Sequence, residues 1–421
     1  MFKKSILDNG LRVITVEKPE SHSIATGIFV KAGSRNEEIA HNGVSHFLEH
    51  MLFKGTKNFP NQLAISEAIE GVGGILNAWT DQDHTYYWNR VPTTQLSTSL
   101  TVLADMIRHP LLKEADIQRE KGVIVEEINR KNDDPASHVW ELIISALWPA
   151  QPMGYSVLGS KESVMSFTRQ TFTDYMQRWY EPKNMVLVVA GNVPHAGVET
   201  QAAKFLHALK PVKIPSIVPA KESRGKPRQT IHQKKTDQAH LIIGFHALPY
   251  HDPDRYAFDV MNTILGGGMS SRLFMRIREE KGLAYHIASS DEYYADTGGL
   301  FIQSGLNLSK LDHAVEAITA ELKLMKKEPV AVGELTRVKE YIKGTIDMSI
   351  DSTQAMAVWF GKGILFGDDK TPQEVIKEID KVSVADVQRI ASKIFTKERA
   401  SLALIAPVKK EKPLVKYLEV L

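Results

Sequence analysis

The chain has 421 residues, 43% of them hydrophobic and 24% charged, with a formal net charge of +2. This is too long for one ordinary core and suits a soluble globular protein of two or more domains. It contains no cysteine, which excludes disulfides, thiolate metal sites and cysteine nucleophiles, so any metal must be held by His, Asp or Glu. No basic run points to nucleic acid, no apolar run suits a bilayer, and the N-terminus lacks the marks of a secretory or transit segment. The expectation is a bacterial cytoplasmic protein with neither nucleic-acid nor membrane partners.

Strand-like alternation comes first, in LRVITVEK and SIATGIFVKAG, with a turn near PESHS between them. The stretch NGVSHFLEHMLFKG follows, and Val44–Phe53 reads as a helix apolar on nearly every side, hence buried. Pro60 opens a further helix that Gly73 and Gly74 end. ILNAWT and DHTYYWNRV read as paired strands, and helices are expected over about 94–108 and 114–133. RQTFTDYMQRWY then reads as a helix leading into the strand MVLVVAGNV.

Residues 211–228 are proline-rich without helical period and read as an extended linker. Residues 167–193 align without a gap on 382–408, each giving an amphipathic helix, a charged turn and an apolar strand. SIATGIFVKAGSRNEE resembles HLIIGFHALPYHDPDR in pattern, and GGILNAWT lines up with KGLAYHIA. The fold expected is α+β: two similar halves, each an antiparallel sheet with helices on one side, forming a chamber. The domains are then 1–210, bearing the metal motif, and 229–421, which lacks it, joined by 211–228.

Within HFLEH, His46 and His50 are four apart and share a helix face with Glu49. Two imidazoles and a carboxylate are costly in an apolar setting unless they have partners. The HxxEH pattern is that of inverted-motif zinc peptidases: the histidines can bind one zinc and the glutamate can serve a water there. Without a metal, the same residues would be core histidines bonded to backbone carbonyls and to Glu49.

A catalytic zinc needs a third protein ligand. In EADIQREKGVIVEEINRKNDD, Ile117, Ile124 and Ile128 share an inward stripe, Glu120 and Glu127 flank it, and Glu126 points to solvent. Glu120 and Glu127 stand about 10 Å apart along the axis, so one should be a ligand and the other should accept a ligand histidine's spare N–H. Periodicity does not decide which.

GVSHFLEHMLFKGT followed by EKGVIVEEI resembles the pitrilysin and insulin-degrading-enzyme superfamily of zinc peptidases. The branch it is most similar to is the short one that holds bacterial processing peptidases and the mitochondrial processing peptidase β subunit. The resemblance implies Glu127 as the third ligand, Glu120 as its companion, and one zinc per chain. It implies an Arg–Tyr pair, Arg278 and Tyr285, that serves the substrate from the second half. It also implies that the strand at Asn77 and Ala78 receives an extended peptide by β-addition. Read from the residues alone, Arg278 could instead pair with Glu279 or Glu280, and Tyr285 could be core.

The mechanism this implies is endopeptidase chemistry on unfolded or presequence-like peptides, with Glu49 as general base and Tyr285 and Arg278 as oxyanion donors. A non-catalytic scaffold subunit and the catalytic half of a heterodimer are the competing readings. The presence of both the metal motif and the Arg–Tyr pair in one chain favours a homodimer.

Overall fold

The computed structural model describes residues 2–222 and 225–421. The linker reading at 211–228 therefore includes two residues, Ser223 and Arg224, that lie outside the described residues. The rest of 211–222 carries no helix or strand.

The first half runs β1 (Phe2–Ile6), β2 (Arg12–Glu17), β3 (Ser23–Val30), α1 (Val44–Leu52), α2 (Gln62–Glu70), β4 (Ile75–Thr80) and β5 (Thr85–Pro92). It continues with α3 (Leu96–Arg108), α4 (Glu114–Asp133), α5 (Pro135–Leu147), α6 (Lys161–Ser166), α7 (Arg169–Trp179), β6 (Met185–Gly191) and α8 (His195–Leu206). The second half runs β7 (Arg228–Gln233), β8 (Ala239–His246), α9 (Arg255–Gly266), a π-helix (Phe274–Glu280), β9 (Ala284–Tyr293) and β10 (Gly298–Leu306). It ends with α10 (Leu311–Lys327), α11 (Val332–Ile350), α12 (Thr353–Phe366), α13 (Pro372–Lys381), α14 (Val384–Ile394) and β11 (Ala400–Ala406).

Two sheets result, with strand orders β1-β2-β6-β3-β5-β4 and β7-β11-β8-β10-β9. Apart from β1, the two orders correspond strand for strand. Each sheet has one parallel pair, β2 with β6 and β7 with β11, and is otherwise antiparallel. The repeat read from 167–193 and 382–408 lands on α7–β6 and α14–β11, so that alignment marks the same helix–strand unit in both sheets. β1 pairs antiparallel with β2 across the Asp8-Asn9-Gly10 turn, where Gly10 takes φ 92°. That hairpin is absent from the sequence reading, although the turn residues signal it.

The compact units are not continuous halves. One holds residues 1–128, 155–218 and 347–371; the other holds 129–154, 219–346 and 372–421. One of the several passages between them, Val218–Pro219, falls within 211–228, and α5 and α12 each belong with the other half's sheet. The reason is burial on both faces. Every residue of β6 is buried, as are all but the first of β3, so alternate side chains need cover on each side of the sheet. In the first unit Val13, Ile28, Val30, Leu187 and Val189 join the core beside α1, α3, α7 and α8. On the opposite face Phe29 and Val188 lie against Gly361 of α12. In the second unit Val139, Ile143 and Leu147 of α5 pack with Ile242, Phe301, Ala403 and Ile405. The helix layer expected on one side is thus joined by one helix on the other.

Among the described residues no helix is long and apolar enough to cross a membrane.

Candidate metal centre

α1 is buried along Val44–Leu48 and again at Met51–Leu52, through Val44, Phe47, Leu48, Met51 and Leu52 in the first unit's core. Its start is fixed from outside the helix. The cap position is Gly43 at φ 95°, which has no side chain to offer, and a Cβ there would stand 2.6 Å from the Leu158 carbonyl oxygen. Glu37 does the capping instead. One of its oxygens accepts from Gly43 N at 2.6 Å and Asn42 Nδ2 at 2.8 Å, and the other from Ser45 N at 2.8 Å and from the Ser45 hydroxyl. These bonds satisfy amides that a helix start leaves open. Burial pushes the Glu37 carboxyl up to about 7 even though the four donors favour the anion.

From this anchored helix His46 and His50 project side by side, their ring centroids 4.7 Å apart. Glu127 reaches them from α4: its Oε2 lies 3.8 Å from His46 Nε2 and 3.7 Å from His50 Nε2. One ligand atom from each of the three lies within 4.8 Å of the others, a group that could hold a metal ion. Nitrogen, nitrogen and carboxylate oxygen are a donor set suited to zinc. The 3.7 and 3.8 Å separations also suit an ion with bonds of about 2 Å.

α4 behaves as its periodicity requires. Ile117, Ile124 and Ile128 are buried, Glu126 is exposed and Glu127 is half-buried. Glu120, only 3% exposed, accepts His50 Nδ1–H at 2.9 Å. That bond assigns the proton to Nδ1 and leaves His50 Nε2 facing Glu127, the division of labour of a ligand and its orienting carboxylate. The other Glu120 oxygen is 2.8 Å from Lys54 Nζ. Burial opposes the Glu120 charge, but the bonds from His50 and Lys54 outweigh it and hold the pKa below the ordinary value.

Glu49, one residue before His50, accepts the Thr80 hydroxyl on Oε2 at 2.5 Å. Burial raises its pKa above the ordinary value, and the nearby Glu127 charge adds to this; the Thr80 bond and His50 oppose it.

Asn77 and Ala78 sit in β4, the outermost strand of the six-stranded sheet. Asn77 faces out, while Ala78 packs against the core beside Leu76. Arg278 and Tyr285 belong to the second unit. The helix expected there from about Ser270 is the π-helix Phe274–Glu280. Arg278 lies over the Phe274 ring at 4.5 Å and 3.7 Å from Glu279. Tyr285, the second residue of β9, an outermost strand too, is 59% exposed, so it is not core.

Sequence reasoning missed Glu37, Lys54 and Thr80. Lys54 follows His50 by one helical turn and Thr80 follows Ala78 by one strand period, so both were within reach of pattern. Glu37 is brought in by a loop and left no periodic signal.

Comparison with known proteins gives a consistent family assignment. The model for Insulinase (Peptidase family M16) matches residues 12–161 and that for the Peptidase M16 inactive domain matches 166–342. The chain is 35% identical to a Bacillus subtilis protein named uncharacterized zinc protease YmxG, covering 97% of this chain and 98% of that one. It is 34% identical to a Rickettsia felis protein named uncharacterized zinc protease, covering 96% and 98%. The fold is similar to the crystal structure of a protease from Helicobacter pylori, with TM-score 0.91 and 24% identity over 97% of this chain and 99% of that one. It is also similar to a Pseudomonas fluorescens structure described as a peptidase M16 inactive domain, with TM-score 0.90 and 19% identity over 98% and 100%.

Proposed function

The chain belongs to the insulinase family of peptidases, M16, and from that premise we propose that it is a zinc-dependent endopeptidase of unfolded or presequence-like peptides. The observation that carries the reading is the convergence of His46 Nε2, His50 Nε2 and Glu127 Oε2 beside a base, Glu49. His46, His50 and Glu127 hold the zinc, one per chain, and Glu120 fixes the His50 tautomer. When bound, the ion supplies Lewis acidity and brings the pKa of a water towards about 7.

The chain's own groups do the rest. Glu49 takes the proton of the attacking water and passes it to the leaving amine; its raised pKa suits a base that must also act as an acid near neutrality. β4 offers its free edge at Asn77 and Ala78 to an extended peptide, which pairs by backbone hydrogen bonds. Arg278 and Tyr285 are donors to the substrate carbonyl as it gains negative charge. The reading extends to a homodimer in the bacterial cytoplasm, of the processing-peptidase kind; the presence of the metal motif and the Arg–Tyr pair in one chain favours the homodimer, and the named relatives are bacterial.

The test is a Glu49→Gln protein assayed on a peptide library, with zinc measured in parallel. Zinc should stay stoichiometric while turnover falls by at least about 100-fold. His46→Ala, His50→Ala and Glu127→Ala should lose the metal, and Glu126→Ala should keep it. Undiminished turnover in Glu49→Gln would falsify the mechanism.

A further inference from the structure

We propose that Thr80 is a positioning residue for Glu49, and that through it the strand offered to the peptide also aims the base. This rests on the reading of Glu49 as general base. Glutamate has three side-chain torsions, and a base that must meet one water needs one of its two oxygens aimed and the other held. The Thr80 hydroxyl donates to Glu49 Oε2 at 2.5 Å, which leaves Oε1 as the oxygen available to the water.

Thr80 is well built for the task. It is β-branched, so its χ1 is stiff. It ends β4 in register with Thr85 of β5, and Thr85 is itself fixed by its hydroxyl bond to the Ala32 carbonyl at 2.9 Å. Leu76 and Ala78, on the same face of β4 as Thr80, pack against the core, while the intervening Ile75, Asn77 and Trp79 are exposed. The inward face of one short strand therefore grips α1 through core packing and the Thr80 hydroxyl, and among the described residues no strand pairs with its outer edge. A peptide adding to that edge is placed by the same backbone that places Glu49, so substrate and base share one reference frame, the kind of pre-set geometry that positioning requires.

Thr80→Val keeps the shape and removes the donor; Thr80→Ser keeps the donor. Thr80→Val should lower kcat by about 10- to 100-fold with KM within about threefold, and Thr80→Ser should restore kcat to within about threefold of the parent. Zinc content should be equal in all three proteins. Crystal structures of the metal-free proteins should show Glu49 in one rotamer in the parent and in Thr80→Ser, and spread over several in Thr80→Val. The proposal is overturned by an unmoved Glu49 in Thr80→Val, by parental kcat in that variant, by a Thr80→Ser as weak as Thr80→Val, or by loss of zinc from Thr80→Val. If the parent has no chelator-sensitive peptidase activity, the functional reading itself fails, and the rotamer comparison still decides whether Thr80 holds Glu49.

Discussion

Lys54 sets its ammonium 2.8 Å from one oxygen of Glu120, whose other oxygen receives His50 Nδ1–H at 2.9 Å. Two residues, Glu120 and His50, thus stand between the lysine and the proposed zinc, which the lysine supports through a carboxylate. Removing it would leave a buried acid with one partner and a weakened preference for the charged form that orients His50. Lys54→Met is expected to lower zinc affinity by about tenfold, read by competition with a fluorescent chelator, and Lys54→Arg to lose less. Equal affinity in Lys54→Met and the parent would show that Glu120 needs no help.

Tyr285 is exposed near the start of an outermost strand, outside the core. A phenol that donates to a carbonyl bonds it more strongly as that oxygen gains charge, so its removal should appear in kcat. Tyr285→Phe is expected to lower kcat by about tenfold or more with little change in KM. Steady-state kinetics on one defined peptide checks this, and a change confined to KM would make Tyr285 a simple binding contact.

The stripe on α4 was legible because a long regular helix turns sequence spacing into direction. Ile117, Ile124 and Ile128 define the inward side, so the flanking positions of Glu120 and Glu127 and the outward position of Glu126 follow. The choice between Glu120 and Glu127 was not legible, because it depends on how far along α4 the histidines arrive, which is a tertiary quantity. The repeat was legible for a similar reason: α7–β6 and α14–β11 each carry their own period. The positions of α5 and α12 were hidden. Both have apolar faces, but nothing local in Val139, Ile143 or Phe360 says which sheet they cover. Glu37 was hidden too, since a capping group brought in by a loop obeys no spacing rule.

His84 offers a test by pH. It is buried between Phe29 and Phe366, with ring centroids at 6.0 and 5.9 Å, and its Nδ1 is 4.0 Å from Asp81 Oδ2. Burial, with the Lys362 charge, pulls its pKa from 6.5 down to about 3. The folded protein therefore binds fewer protons than the unfolded chain between those values. Its stabilising effect is complete above pH 6.5 and is lost as pH falls towards 3, at roughly 1.4 kcal/mol per unit. Urea unfolding of metal-free protein should show the parent losing about 2 kcal/mol more than His84→Leu between pH 6.5 and 5. Parallel losses in the two proteins would mean that His84 titrates normally when folded.

Phe366 belongs to α12, and α12 decides what a cut chain would do. Met356, Ala357, Phe360, Ile364, Leu365 and Phe366 are all buried, and each large apolar side chain among them is worth about 1.5–3 kcal/mol of burial. The helix is held at its end as well: Arg12 Nη1 donates to the Ile364 carbonyl at 2.8 Å, and Gly367, at φ 84°, turns the chain so that Asp368 N reaches the Gly363 carbonyl at 2.8 Å. A Cβ on Gly361 would stand 2.2 Å from the Phe29 ring, which shows how closely helix and sheet approach. Residues 1–210 produced alone would lack this helix and bare Phe29 and Val188, and their own α5 would have no second sheet on which to bury Val139, Ile143 and Leu147. We expect this fragment to unfold without a cooperative transition, to bind a hydrophobic dye and to retain little zinc. Co-expression with residues 211–421 should give a soluble complex that restores both the transition and the metal. A sharp thermal transition with stoichiometric zinc in residues 1–210 alone would show that the first sheet, its helix layer and the metal centre stand without the helix supplied by the second half.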